Sequence, residues 1–585
     1  MKNNKMGRKV EILLVASILL LVVSQQVYLL YDLNPTAGIF SSDYWIHVVS
    51  MRQYDAEQYI NFDMTWTNIQ RIEGEYQFYP PGFPLLANSL REVTGLGYYE
   101  ISLLFNIFWP LFCVLIYLMA RKATSNPWIA IVAMFCGATF ISGSNMLGPM
   151  LPLASTLGII LLLATLLMLV SSSRNIARLA IMSILLAAMF VTHRVTIAMW
   201  LMIVPLISIL PLLFVKQKTN FVYRFNVPII SATIVASIIS LIFWLKMPMD
   251  QMMRFGGIID FRIDEWILGH ELNITTFIAL VLLLIVVMFI IVTYLLSLST
   301  RVDHLDVGPM DDSFISKRLS LLALLAFPLF FIGLIVYSSL KLTGGIPITP
   351  GSLLDYWGVL SEEAYRDVGV SNIKQLLYIW HINLIPMAFF PLAIIIILRG
   401  ARRNYPMASA VSIITLLFLL IWISSSIEEL KVQRAYLYVA PFTAIASAWA
   451  FVSFYRSKWP WRKHAAIALV IGSLAMSFAA IPYIASDVSN TDITGIYWLE
   501  HSGMADVPIA TEGYSAGIGR GMGVMGLTVY DYSFGQPSST IINMLRTDAV
   551  HATFVSSQLP MLHQRMQQPD VTLAFINGGT EVFVF

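Results

Sequence analysis

The chain has 585 residues, 57% of them apolar and only 12% charged; a soluble domain carries about twice that charged share. Mean hydropathy is +0.74, and 36 Lys and Arg against 34 Asp and Glu leave a formal charge of +2. These values exclude a soluble enzyme, a disordered chain and a collagen-like fibre. No basic block stands apart from membrane-flanking clusters, so no nucleic-acid partner is expected.

Taken in chain order, the apolar runs predict thirteen membrane spans, near 11–31, 99–119, 126–143, 150–170, 179–193, 196–215, 227–246, 273–298, 319–339, 376–398, 406–427, 435–454 and 464–485. Most approach the ~20 residues that cross a ~30 Å hydrocarbon core as a helix, the form in which such a run satisfies its own backbone hydrogen bonds. The first run is long and no small-x-small cleavage site follows it cleanly, so it reads as an uncleaved anchor rather than a signal peptide. Cys113 and Cys136 fall inside apolar runs, neither a disulfide framework nor a metal spacing, and read as small buried hydrophobes.

Lys and Arg set the orientation. The N-terminus, Arg121-Lys122, Arg174/Arg178, Lys216/Lys218/Arg224, Arg301/Lys317/Arg318, Arg399/Arg402/Arg403 and Arg456/Lys458/Arg462/Lys463 hold 21 of the 36 basic residues in alternate short loops. That side is predicted to be cytoplasmic, and thirteen crossings then place the C-terminus outside. The expected organisation is a transmembrane domain over 1–485 and a small extracytoplasmic α/β domain over 486–585. In this tail 492–501, 537–547 and 558–566 read as helices, and 507–510 and 552–555 as strands. The closing LAFINGGTEVFVF reads as a hairpin turning at Asn577-Gly578-Gly579, because Asn and Gly tolerate the positive φ such turns need.

The first outer loop, 32–98, carries the richest chemistry. In Ser41-Ser42-Asp43-Tyr44-Trp45-Ile46-His47-Val48-Val49, serine followed by an acid starts a helix. Asp43 and His47, four apart, share one face. Trp45, Ile46, Val48 and Val49 give an apolar side, so this helix is expected along the membrane surface. Asp43 reads either as a helix cap or, partly desolvated near headgroup depth, as a base. Tyr79-Pro80-Pro81-Gly82-Phe83-Pro84 forces an extended chain and a turn, and a short helix follows to Thr94-Gly95. Thr192-His193-Arg194 marks a polar outer turn between apolar runs, functional or in contact with headgroups. Arg434 follows Glu428, Glu429 and Lys431 into the twelfth span, either paired locally or facing a ligand. The segment 247–272 reads as a solvated or pocket-shaping loop.

Together, the N-in first span, the Asp-aromatic-x-x-His helix, the Tyr-Pro-Pro-Gly-Phe turn, Thr192-His193-Arg194, Arg434 in QRAYLYVAP and the Asn-Gly-Gly hairpin resemble the membrane-embedded GT-C glycosyltransferases, especially archaeal and other prokaryotic members. Thirteen spans with an outer C-terminal domain are also similar to oligosaccharyltransferase catalytic subunits. The resemblance implies an all-α polytopic membrane bundle that moves a sugar from a polyprenyl-phosphate carrier to a glycan, lipid or protein acceptor outside the cell membrane. It makes Asp43 the base or the ligand of a divalent cation (Mg or Mn), and Arg434 the cation facing the lipid phosphate. His47 would orient Asp43 or touch the phosphate; His193, Arg194 and Tyr79 would line the substrate and lipid-phosphate site.

Two departures qualify the likeness. The next outer loop, Ser142-Gly143-Ser144-Asn145-Met146-Leu147-Gly148-Pro149, has no carboxylate, although many relatives place a second acid there; Glu73, Glu75, Asp260, Asp264 and Asp355 are the candidates to replace it. The Trp-Trp-Asp-Tyr-Gly signature of oligosaccharyltransferases is absent, and Tyr530-Asp531-Tyr532 only echoes it. Single-sugar transfer by an inverting mechanism is therefore expected over en bloc transfer. The competing reading is a catalytically silent GT-C-like scaffold or envelope-complex subunit. A transporter ranks last, for want of charged mid-span residues and broken helices in paired halves.

Overall fold

A computed structural model describes residues 6–29, 42–57, 81–140, 153–170, 176–193, 196, 199–200, 227–244, 384–389 apart from 387, 432–484, 501 and five strands between 509 and 584. Helices α1 (Arg8–Val27), α2 (Ser42–Glu57), α3 (Gly82–Thr94), α4 (Tyr98–Leu104), α5 (Phe108–Thr124), α6 (Pro127–Ala138), α7 (Ala154–Val170), α8 (Ile176–Thr192), α9 (Val227–Trp244), α10 (Val432–Arg456) and α11 (Arg462–Ile484) follow the apolar pattern. A 3₁₀ turn at Phe105–Ile107 joins α4 to α5. Among the described residues, Arg8–Val27 and Glu100–Thr124 are long and apolar enough to cross a membrane, while Pro127–Ala138, Ala154–Leu169, Ile176–Thr192 and Val227–Ser240 are shorter apolar helices. The spans expected at 273–298, 319–339 and 406–427 lie outside the described residues.

Local chemistry fixes the helix ends. Gly95, at φ 72°, stops α3 with its N–H on the Arg91 carbonyl, a left-handed cap that glycine adopts without steric cost. In α6, Pro127 takes the first position and the Asn126 side chain accepts from Trp128 N at 3.0 Å, which satisfies one of the free amides of a helix start.

Polar bonds sort the ends of the first helices. Glu11 of α1 accepts from Tyr117 OH at 2.5 Å and Arg121 Nε at 3.0 Å near the end of α5. At the other end of α1, Gln26 donates to the Asn106 carbonyl at 2.6 Å and Gln25 to Ser477 Oγ of α11 at 2.8 Å. Thus α1 runs antiparallel to α5. Trp109 Nε1 reaches the Gly137 carbonyl at 3.2 Å, closing α5 and α6 into an antiparallel pair around buried Cys113 and Cys136. On α10, buried Ala440, Ala444 and Ala448 recur every fourth residue. Such small residues let helix backbones approach closely where no hydrophobic force separates lipid from protein.

The strands β1 (Ile509–Thr511), β2 (Leu527–Val529), β3 (Ile542–Arg546), β4 (Thr572–Ile576) and β5 (Thr580–Val584) form a mixed sheet in the order β2-β1-β3-β5-β4. Strand β1 lies parallel to β2 and β3, while β5 is antiparallel to both β3 and β4. The helix expected over 537–547 is corrected here: 542–546 is the central strand. Pairing with β5 along the whole strand, and with β1 at Ile542 and Asn543, outweighs the mild helix preference of Met544, Leu545 and Arg546.

Candidate functional site

Among the described residues, those singled out from sequence lie on α2, at the start of α3, at the end of α8 and on α10, and side-chain contacts draw these four elements together. His47, 2% exposed, sets its ring 4.8 Å from that of Phe83, at 61°. Phe83 follows Gly82, the glycine of the Pro-Pro-Gly turn. A Cβ on Gly82 would stand 2.6 Å from the Val191 carbonyl oxygen and 2.9 Å from Thr192 Oγ1, so the turn rests directly on the last turn of α8. One residue further, His193 Nδ1 lies 3.1 Å from Thr196 Oγ1 and 3.2 Å from Tyr438 OH, and the two hydroxyls are 2.7 Å apart. All three groups are buried.

Asp43 lies in the first turn of α2, on the same face as His47 and one turn before it. Arg434 lies in the first turn of α10, one turn before Tyr438. The side chains of Asp43 and Arg434 lie outside the described residues, as do Tyr79, Arg194, the loop 142–149, Glu73, Glu75, Asp260, Asp264 and Asp355. The structure thus joins His47 to His193 through Phe83 and Gly82, and His193 to the helix of Arg434 through Tyr438.

The placement of α2 differs from a surface helix. Tyr44, His47, Val48, Val49, Ser50 and Met51 are all buried, on successive positions instead of one stripe, because α3 and the helix core enclose it on several sides. Burial lowers the His47 pKa to about 3, since a desolvated imidazolium loses its hydration. His47 is therefore neutral at ordinary pH and shields its helix face instead of presenting charge. Burial also raises the Tyr44 hydroxyl above its usual range, leaving it a pure hydrogen-bond group that donates to the Tyr98 carbonyl at 3.2 Å.

A second polar cluster escaped sequence reasoning. Asp55, in the last turn of α2, accepts from Asn88 Nδ2 at 3.0 Å, from Arg91 Nη2 at 2.5 Å and from Tyr98 OH. Arg52 and Arg91 place their guanidinium carbons 4.9 and 4.8 Å from the centre of the Tyr98 ring, within cation–π range. Desolvation pushes the Asp55 carboxyl up, but the bonds from Tyr98 and Asn88 and the Arg91 charge together hold it below the ordinary carboxylate value. Partial burial and the Asp55 carboxylate push the Tyr98 hydroxyl up to about 12. Partners 33 to 43 residues apart leave no local spacing in a sequence; the only signals were an acid late in α2 and a tyrosine at the mouth of the next span.

Among the described residues no three His, Cys, Asp or Glu side chains gather as a metal cage. Asp55 does not supply the second carboxylate for a cation at Asp43. Twelve residues of helix separate them by about 18 Å, and its oxygens already take three donors.

No protein-family model and no curated protein sequence matches the chain. Solved structures do. The Archaeoglobus fulgidus oligosaccharyltransferase complexed with Zn and sulfate superposes with a TM-score of 0.53 at 12% identity, over 88% of this chain and 62% of that one. The archaeal oligosaccharyltransferase AglB from Archaeoglobus fulgidus, in complex with an inhibitory peptide and a dolichol-phosphate, gives 0.50 at 12% identity, over 89% and 65%. ArnT from Cupriavidus metallidurans bound to undecaprenyl phosphate superposes more loosely, at 0.47 and 11% identity, over 99% and 98%. The chain spans less than two thirds of the oligosaccharyltransferases' length. At such identities the likeness is one of fold: this chain shares the fold of these archaeal oligosaccharyltransferases.

Proposed function

We propose that the chain is an integral membrane glycosyltransferase that moves a sugar from a polyprenyl-phosphate carrier to an acceptor hydroxyl at the outer face of the membrane. The supporting observation is the buried chain of contacts from His47 through Phe83 and Gly82 to His193 and Tyr438. It brings the helix of Asp43 and the helix of Arg434 to one end of the bundle. The fold is that of archaeal oligosaccharyltransferases, one of which was solved with dolichol-phosphate. In this reading thirteen spans carry the site, the N-terminus is cytoplasmic, and residues 486–585 form an extracytoplasmic α/β domain beside the acceptor.

The reaction needs one base and one fixed cation. Asp43 takes the proton of the acceptor hydroxyl as its oxygen attacks the anomeric carbon. The bond from that carbon to the phosphate oxygen breaks on the opposite face, inverting the centre, and the electron pair leaves with the lipid phosphate. Arg434, with Arg194, stabilises the charge gathering there. Tyr79 lines the sugar pocket, and His47, neutral and packed on Phe83, is a positioning residue for Asp43. Asp43 is also the residue that would hold a divalent cation, with Glu73, Glu75, Asp260, Asp264 and Asp355 the candidates for its second carboxylate.

The test uses the full chain in liposomes. Asp43→Asn should cut sugar transfer from a dolichyl-phosphate-linked donor by about 10²–10⁴-fold, the usual worth of a general base, with unchanged thermal unfolding. Full activity in that variant would remove Asp43 from the mechanism. A wild-type chain that neither binds dolichyl phosphate nor transfers sugar, yet purifies with a stable partner, would establish the scaffold reading instead.

A further inference from the structure

Tyr98 touches α2 at two distant points. Its backbone carbonyl accepts from Tyr44 OH at 3.2 Å, next to Asp43, and its hydroxyl donates to Asp55 in the last turn of the same helix. Tyr44 and Asp55 stand eleven residues apart on α2, about 16 Å of helix rise, and their side chains converge on this one tyrosine. Around Asp55 the bonding closes on itself. Arg91 reaches Asp55 with Nη2 and holds Asn88 Oδ1 with Nε at 3.0 Å, while Asn88 Nδ2 donates back to Asp55 at 3.0 Å. The Arg91 and Asp55 side chains are each 24% exposed, so the pair is neither buried away from water nor a loose surface contact. The ring of Tyr98 has the guanidinium groups of Arg52 from α2 and Arg91 from α3 against it. One tyrosine at the mouth of the second span thus fastens both ends of α2 and the side of α3.

The geometry points to Asp55, Arg91 and Tyr98 as a strap that positions the catalytic helix: it fixes α2 along its length and so holds the turn of Asp43 and His47 in place. The three are positioning residues. Asp55 is too far along the helix from Asp43 to exchange a proton or share an ion with it. The positional part rests on the glycosyltransferase reading; the strap itself does not.

Hydrogen exchange of the full chain in lipid nanodiscs separates the two. Asp55→Asn and Tyr98→Phe should each raise exchange across 42–57 at least tenfold and leave 108–124 unchanged. The double variant should be no more than about twofold faster than either single, because both remove one unit. Asp55→Glu, which keeps the charge, should restore protection to within threefold of wild type. Unchanged exchange in 42–57, or an equal rise throughout the chain, would overturn the strap. Dolichyl phosphate binding reads the second half. Asp55→Asn should weaken it at least fivefold, with rescue by Asp55→Glu. Equal binding with a loosened α2 would reduce the strap to a structural role, whereas a wild-type chain without binding would sink the glycosyltransferase reading and leave the strap standing.

Discussion

Gly82 shows how one residue can seat a site. The sequence Tyr-Pro-Pro-Gly announces a turn, and α3 does start there, but no spacing rule says that the glycine leans on a helix a hundred residues later. A methyl at this position would meet backbone, the Val191 carbonyl at 2.6 Å, and backbone yields little. Gly82→Ala should therefore cost about 1–3 kcal/mol, as overpacking does, and lower the melting temperature while pulling α3 away from His193. An unchanged melting temperature in detergent would show that the contact is slack. His47 carries the opposite lesson. The sequence sets it one helical turn after Asp43 but gives no sign of its burial, because burial comes from Phe83 and the helix core. That burial has a pH signature. The folded value is about 3 and the unfolded one about 6.5. Between them the unfolded chain holds a proton that the folded chain lacks, so stability falls as pH drops below about 6.5, by up to ~1.4 kcal/mol per pH unit, and is independent of this group above it. His47→Gln should flatten that part of the curve. Thermal unfolding at pH 7.5 and pH 5 reads it directly; the same loss in wild type and variant would refute the assignment.

At the scale of elements, apolar length served well and pairing did not. The runs near 99–119, 150–170, 179–193, 227–246, 435–454 and 464–485 each found a helix within a few residues, because lipid-solvated helices declare themselves by composition alone. Helix α2 was legible as a helix from its serine and acid start, yet its surroundings were not. Its buried positions run consecutively from His47 to Met51, and what encloses them comes from elements up to fifty residues away. The strap around Asp55 was invisible for the same reason: an acid, an arginine and a tyrosine mean nothing until the fold sets them within bonding distance. Strand β3 makes the point from the other side. Ile542–Arg546 reads as easily as helix, and only β1 on one edge and β5 on the other decide for strand.

At the scale of the whole molecule, the charge pattern and the geometry bear on one question, the side of the membrane each end faces. Helix α1 and the α4–α5 unit meet twice, at Glu11 with Arg121 and at Gln26 with Asn106, and fifteen residues separate the two contacts on each chain segment. Equal spacing means two helices lying antiparallel in register. The stretch Glu100–Thr124 has 25 residues, about 37 Å of helix, which exceeds a ~30 Å core. Its Thr94 and Ser125 flanks should then lie on opposite faces, and the basic Arg121-Lys122 end should be cytoplasmic. Buried Cys113 and Cys136 leave a quiet background for labelling. Val93→Cys, at a position 85% exposed on α3, should react with an impermeant maleimide added to intact cells. Ser125→Cys should react only after the membrane is opened. Labelling of both from the same side would undo the orientation, and with it the placement of Asp43 at the outer face, since α2 and α3 are fastened together through Asp55 and Arg91.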